Sequence, residues 1–297
     1  MPTGRDLIFR QGYFGEPDAF EALAVLLQDI FSIDIRPMQW LGGVDPTCMP
    51  FGYFDAEGRC VANFSVFSMP LAVNGRTMRV AAYQSGAVSP AYRGRGLYRD
   101  LMQRAFTYAR QTGHEADILL TGKPQLYVPY GLRSVRMFGF RGAMPRSSAD
   151  GSACQTLSLE RPADLQRVSA ILDIRQPVSG RFAVTGLKAL FLLNAWWQRD
   201  EIKLSYLSRQ KAIVAWRQEA EKLIVFDVVS AEIPPLGEIC AALGAGCSCV
   251  ETRFSPDRFQ WAEAEAIADP HVYLMASTSL AEQLERSPVG FTPLAEF

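Results

Sequence analysis

Apolar residues recur along this chain in two rhythms. Between residues 17 and 31 the spacing of Phe20, Leu23, Leu27 and Phe31 is that of one helix face, and Pro17 followed by Asp18 supplies a helix start. Two runs of strand-like alternation follow at 49–54 and 60–69, joined by the turn sequence Asp55-Ala56-Glu57-Gly58. Asn74-Gly75 marks a second hairpin, leading into a strand over 77–88. Gly86 interrupts that strand, as glycine does at a bulge or a close backbone approach. Leu97, Leu101, Ala105 and Tyr108 return to helical spacing and predict a helix over 97–110, closed by Gly113. A strand over 116–121 comes next.

Residues 141–154 then turn small and polar, the composition of a connection between domains. Beyond them the pattern predicts helices over 161–172 and 185–197, strands over 203–207, 212–216 and 223–230, a helix over 235–243, and strands over 249–254 and 272–275. Strands, then a helix, then a strand is also the order of the first half. The apolar stretch Gly290-Phe291-Thr292-Pro293-Leu294 reads either as a last strand or as a segment holding the chain end against a surface.

The chain has 297 residues, 48% of them hydrophobic and 21% charged, with a formal net charge of −1. The length predicts two domains and the composition a folded globular protein. A near-neutral charge supplies no general attraction to nucleic acid or anionic membranes. The basic cluster of Arg93, Arg95 and Arg99 is too compact for a duplex footprint. No apolar run nears the ~20 residues of a membrane span. The opening Met-Pro-Thr-Gly-Arg-Asp lacks a signal-peptide core, so a cytoplasmic protein is expected, without nucleic-acid or membrane partners. Six scattered cysteines are expected reduced and mostly buried. Cys247-Ser248-Cys249 lacks the second pair or nearby histidine that would complete a zinc set, so no metal is expected. His114 and His271 sit in no nucleophile motif, which leaves a Ser-His-Asp or Cys-His hydrolase without support.

One segment carries candidate chemistry. Residues 85–101 run from a strand end through an arginine and glycine loop into a helix start. The first N–H groups of a helix have no intrahelical partner and lie at the positive end of its dipole. Gly94 and Gly96 let the backbone approach a phosphate, and Arg93 and Arg95 add guanidinium donors. The spacing is neither the nucleotide P-loop nor the Rossmann glycine pattern. An ordinary basic turn before a helix would read the same way. Arg93-Gly94-Arg95-Gly96-Leu97-Tyr98 resembles the Arg/Gln-x-x-Gly-x-Gly/Ala loop of GNAT-type N-acetyltransferases, most closely the Arg-x-x-Gly-Leu form of the Eis-type branch. Tyr98 departs from the small residue usual there. About 30 residues on, Leu126-Tyr127-Val128-Pro129-Tyr130-Gly131-Leu132 resembles the Tyr-x-x-x-Gly-Phe stretch that follows the fifth strand of those enzymes, with Leu132 where phenylalanine is commoner. The resemblance covers the first ~145 residues by motif and the rest by element order alone.

The resemblance implies acetyl-CoA as cosubstrate. Its pyrophosphate would lie on Arg93, Gly94, Arg95, Gly96, Leu97 and Tyr98, and its pantetheine arm on the strand backbone around Ala87 and Val88. Tyr127 would protonate the departing CoA thiolate; a packing aromatic is the plainer reading of that residue. The implied fold is α/β: two tandem GNAT-like domains, each a mixed, mostly antiparallel sheet flanked by helices. The catalytic copy would span 1–145. The copy in 146–297 would be degenerate, because Ala231-Glu232-Ile233-Pro234-Pro235-Leu236 has no arginine and no glycine pair. The third, sterol-carrier-like domain of Eis-type proteins is not expected within these 297 residues.

The implied reaction is acetyl transfer to a primary amine of a small molecule or peptide, which also needs a base. The residues leave that base open among Asp34, Asp55, a water relay and the carboxylate of Phe297 after Glu296, since a chain-end carboxylate reaches the active site in Eis-type enzymes. Phe31, Asp34, Trp40 and Phe67 lie in segments that flank the acceptor cleft in GNAT folds; core packing is the plainer reading of Phe31 and Phe67, and Trp40, before Leu41-Gly42-Gly43, is the pocket candidate. A CoA-binding regulatory or scaffold protein without activity stays open, as does a homo-oligomer; a third reading, an arginine-loop phosphate binder that anchors a nucleotide or nucleic acid, needs a wider basic surface than the composition supplies.

Overall fold

A computed structural model describes residues 7–145, 153–244, 246–259, 261–269 and 273–297. The first half runs β1 (Ile8–Gln11), α1 (Pro17–Phe31), β2 (Met49–Phe54), β3 (Cys60–Val73), β4 (Arg76–Val88), α2 (Leu97–Gln111), β5 (Ala116–Leu120), β6 (Leu132–Val135) and β7 (Phe138–Ala143). The second runs β8 (Cys154–Leu157), α3 (Pro162–Leu172), β9 (Phe182–Val184), α4 (Lys188–Trp197), β10 (Lys203–Leu207), β11 (Ala212–Glu219), β12 (Lys222–Val229), α5 (Leu236–Leu243), β13 (Cys249–Thr252), β14 (Glu265–Ala268), β15 (Leu274–Ser277) and α6 (Thr278–Leu284).

These elements build two mixed sheets flanked by helices. The first has the order β1-β2-β3-β4-β5-β15-β6, with β9 on the far end of β3; the second has the order β14-β7-β13-β12-β11-β10-β8. Each is antiparallel apart from one parallel pair, β4 with β5 and β12 with β13. The halves exchange strands. β7 leaves the first half to pair with β13 and β14, and β15 returns from the second half to lie between β5 and β6. A division of the chain at 145/146 is therefore not the division between sheets. The small, polar stretch over 141–154 includes the end of β7 and the start of β8, and residues 146–152 lie outside the described residues.

Two other departures from the sequence pattern have separate causes, one a long-range pairing and one a local turn. The helix expected from 185 starts at Lys188, and the residues just before it form β9, paired with Leu71–Val73. The segment from Gly290 is no strand: Pro293 brings no N–H, and the chain turns 3-10 over Pro293–Ala295, with the Thr292 hydroxyl accepting from the Leu294 N–H.

Phe20, Leu23 and Leu27 of α1 are buried in one cluster with Phe191 and Leu192 of α4 and Leu204 and Ile213 of the second sheet. The two halves thus share a core. Leu101, Met102 and Ala105 of α2 pack on Phe64, Val66 and Tyr83 of the first sheet in another cluster. Of the cysteines, Cys60 and Cys240 are buried, Cys48, Cys247 and Cys249 half-buried and Cys154 exposed, so the mostly buried set expected from sequence is not what forms. Among the described residues, no helix is long and apolar enough to cross a membrane.

Candidate active site

The site begins with an interrupted strand. β4 pairs in parallel with β5 from Val80 opposite Ala116 to Tyr83 opposite Leu119, and there the pairing stops. On its other edge β4 stays with β3, but the register slips: Gln84 faces Ser65 and Ala87 faces Asn63, so Ser85 and Gly86 together oppose Phe64. This is a bulge, and Ser85 takes the left-handed conformation there with φ +58°. Asn63 anchors it. Its buried amide donates to the Ser85 carbonyl (2.8 Å) and to Ser65 Oγ (3.1 Å), while its carbonyl accepts from the Tyr13 hydroxyl (2.5 Å).

Beyond Tyr83 the freed edge of β4 lines a cleft of about 1790 Å³. Ala87 and Val88 lie on this edge, and the Arg93–Tyr98 loop follows at the cleft's rim. Gly94 and Gly96 have φ +75° and +78°, the region that disfavours other residues, and nothing lies within 4 Å of a Cβ built on either. Gly96 is the N-cap of α2 and brings no capping side chain to the first-turn N–H groups. Arg93 Nε donates to the Val88 carbonyl (3.2 Å), tying loop to strand. Arg95 donates to the Ala91 carbonyl and lies over the Tyr92 ring at 4.9 Å. An open glycine backbone, a helix N-terminus and exposed guanidinium groups fit an anionic phosphate group.

Tyr127 sits between two 3-10 turns, Pro124–Leu126 and Val128–Tyr130, and only 7% of its surface is exposed. Its hydroxyl is 2.5 Å from that of Tyr98. Burial pushes the Tyr127 phenol above its ordinary range, and hydrogen bonds from Tyr98 and Thr121 hold part of that rise back. Tyr98 packs edge-on against Phe64, with centroids 5.5 Å apart. A Cβ on Gly86 would come within 2.5 Å of the Tyr98 hydroxyl oxygen. Gly86 therefore serves both a bulge and a close approach.

The expected acceptor residues separate into two groups. Phe31, expected in the core, is 45% exposed and lines the cleft at the end of α1. Phe67 is buried, lines the cleft and meets the Phe297 ring edge-on at 5.5 Å, so the end of the chain does reach this space. Trp40 does not line it; its ring packs on Trp196 at 4.6 Å. The Asp34 carboxylate is bound 3.0 Å from Arg36, outside the cleft lining, and only its main-chain carbonyl turns to a cleft residue, Trp197. Asp55 is buried and held by Arg59 (2.7 Å) and Tyr92; burial raises its carboxyl, and the Arg59 bonds more than offset that.

Two contributions were not anticipated as part of the site. α4 brings Leu190, Leu193, Asn194 and Trp197 to the cleft, and the Glu296 side chain belongs to a cleft-lining residue beside Phe297. Burial, then the nearby charge of Asp269, pushes the Glu296 carboxyl up to about 7. Asn194 fixes this segment by donating to the Glu296 carbonyl at 2.7 Å. The resemblance had tied the Phe297 carboxylate to the active site, but nothing in the sequence pointed to the Glu296 side chain or to α4. Among the described residues, no cluster of three His, Cys, Asp or Glu side chains has the arrangement of a metal site.

Residues 35–134 match the family model of the acetyltransferase (GNAT) domain. No curated protein matches the chain in sequence. Solved structures resemble it over nearly its whole length. A conserved protein from Enterococcus faecalis V583, described as a probable N-acyltransferase, has a TM-score of 0.58 and 13% identity, covering 91% of this chain and 72% of its own. Eis1 from Mycobacterium abscessus has a TM-score of 0.58 and 15% identity, covering 91% and 73%. A GCN5-related N-acetyltransferase from Kribbella flavida has a TM-score of 0.56 and 17% identity, covering 92% and 72%. At such identities the likeness is one of fold. This chain thus carries an acetyltransferase (GNAT) domain at residues 35–134, within the Eis-like two-sheet fold of these structures.

Proposed function

We propose that the protein transfers the acetyl group of acetyl-CoA to the primary amine of a small molecule or peptide with an apolar or aromatic body. The observation that carries this reading is the meeting of the Arg93–Tyr98 loop, the freed edge of β4 and Tyr127 in one cleft. The first-turn N–H groups of α2, Gly94, Gly96, Arg93 and Arg95 hold the pyrophosphate, and the backbone at Ala87 and Val88 holds the pantetheine arm. Phe31, Phe67, Trp197 and Phe297 receive the body of the acceptor.

Amide formation joins the amine nitrogen to the acetyl carbon and breaks the carbon–sulfur bond. One proton leaves the nitrogen and one must reach the sulfur. Glu296 takes the first, Tyr127 gives the second, and both exchange with water between turnovers. A carboxyl group near 7 suits the first role. The carboxylate of Phe297 is the other candidate in this corner, and comparing Glu296→Gln with deletion of Phe297 separates them.

The half from residue 146 is read as a second GNAT-like copy without cofactor. Its β12–β13 pair repeats the β4–β5 arrangement and stops at Val225. Two residues on, Asp227 is buried and paired through both oxygens with Arg175 (2.9 and 3.1 Å), whereas Ser85, two residues past Tyr83, lines the open cleft.

The test is incubation with acetyl-CoA and a panel of polyamines, aromatic ethylamines and lysine peptides, with free thiol and acetylated product measured. Thiol release with a matching product is expected. CoA binding by calorimetry with no amine acetylated would instead identify a binding protein that has lost its chemistry.

A further inference from the structure

Tyr98 departs from the small residue of the loop pattern this segment resembles, and its surroundings give it a task. Its backbone lies in the first turn of α2, the helix start assigned above to the pyrophosphate. Its ring leaves that turn, packs edge-on against Phe64 and passes over the only kind of residue that leaves room for it, the glycine at 86. Its hydroxyl ends 2.5 Å from that of Tyr127. Tyr127 joins two short 3-10 turns, its ring is buried in the cluster of Phe64, Tyr83 and Leu101, and its hydroxyl is bonded by Tyr98 and by Thr121.

We infer that Tyr98 is a positioning residue for the acid: it donates its hydroxyl proton in a hydrogen bond to Tyr127 Oη, aims the Tyr127 proton at the sulfur, and holds the phenolate left when that proton has gone. This rests on the reading of Tyr127 as the acid. The physical ground is that a hydrogen bond to an ion is stronger than one to the neutral group, so the pair gains most after proton transfer. No proton is consumed by Tyr98. Tyr127 loses one to the thiolate, keeps the hydrogen bond as a phenolate, and recovers a proton from water. The direction of titration agrees: the Tyr98 bond lowers the Tyr127 phenol against the rise from burial, while burial, followed by the Tyr127 charge, raises Tyr98. Tyr98 is the partner that stays protonated.

The test uses hydroxylamine as acceptor, because it is largely neutral at pH 7 and needs no deprotonation before it attacks; the proton its nitrogen loses afterwards passes to Glu296 or to water, so the rate reports chiefly on thiolate departure. Thiol release from acetyl-CoA is followed for the wild type, Tyr98→Phe, Tyr127→Phe and the double variant, each checked for an unchanged circular dichroism spectrum. Tyr98→Phe keeps the ring on Phe64 and removes only the hydroxyl. Each single variant is expected to lose tenfold or more in kcat with the KM for acetyl-CoA within about twofold. The double variant is expected to be no slower than Tyr127→Phe, since Tyr98 acts only through that hydroxyl. The alkaline limb of the kcat profile should move to higher pH in Tyr98→Phe, because the acid must stay protonated and has lost a bond favouring its anion.

Tyr98→Phe at the wild-type rate, beside a slow Tyr127→Phe, would overturn the inference and leave the Tyr127 reading standing. Independent, multiplying losses in the double variant would overturn it too. A Tyr98→Ala protein that binds CoA more tightly and keeps its rate would mean that the ring obstructs the donor. No acceleration by the wild type with hydroxylamine or with any amine of the panel would instead overturn the acyl-transfer reading underneath, and full activity in Tyr127→Phe would overturn the reading of Tyr127 as the acid.

Discussion

Carboxyl groups in this protein differ by what they touch. Asp34 and Asp55 were attractive as bases from their positions in the sequence, yet both are engaged by arginines, Arg36 and Arg59. Glu296 is mostly buried and also faces the charge of Asp269, which is itself paired with Arg253 at 2.9 Å; burial first, then that charge, raises its carboxyl to about 7. A base works deprotonated, so kcat/KM for an amine should climb as pH rises through about 7. Glu296→Gln should lower kcat/KM about 100-fold and abolish that limb, measured with the best amine of the panel. Stability carries the opposite sign. The native carboxyl holds its proton to higher pH than the unfolded one, so stability is greatest below the ordinary glutamate range and declines as pH approaches 7. The melting temperature of Glu296→Gln should therefore gain on wild type between pH 5 and pH 8, and a constant difference would contradict the buried carboxyl. On the loop before α2, Gly96→Asp puts a carboxylate against the proposed phosphate site. CoA affinity by calorimetry should fall tenfold or more with the fold retained; unchanged affinity would refute this site.

At the scale of elements, the site depends on one bulge. Gly86 signalled it in the sequence, because glycine inside a strand marks irregular backbone. Asn63 did not, since a lone asparagine in an apolar strand carries no local signal of its partner 22 residues away. Asn63→Leu leaves the buried Tyr13 hydroxyl and the Ser85 carbonyl without their partner, a cost of about 2–3 kcal/mol. The melting temperature should fall by several degrees, and CoA affinity should weaken as the β4 edge loses its shape. A loss of stability with affinity intact would mean that the bulge is held by β3 pairing alone. The first-half helices were legible because their apolar faces recur at helical spacing and their ends carry Pro17, Gly96 and Gly113. β9 was not legible: three residues without a period become a strand only because β3 offers them an edge.

The whole molecule is tied together by exchange. Residues 1–145 expressed alone would lack β15, leaving the edges of β5 and β6 unpaired along the apolar Leu119 and Val135, and would carry β7 without its sheet. That fragment should be insoluble or fail to show a cooperative thermal transition. The full chain should unfold in one transition by circular dichroism, because α1, α4 and the second sheet share a core. A stable, CoA-binding fragment of 1–145 would show instead that the exchanged strands are dispensable.

The sequence by itself determined the longer periodic elements, the arginine–glycine loop before α2 and the order of the two motifs, but not the short elements β1, β6, β7, β8, β9, β14 and α6. What it determined is written in neighbouring residues: apolar spacing selects helix or strand, and glycine at positive φ permits the loop. Only the tertiary structure decided which strands share a sheet, that α4 and Glu296 border the same cleft as residues 85–127, and that Tyr98 meets Tyr127. Those contacts join residues far apart in the chain, and their energy comes from burial and hydrogen bonds that exist only once both partners are packed.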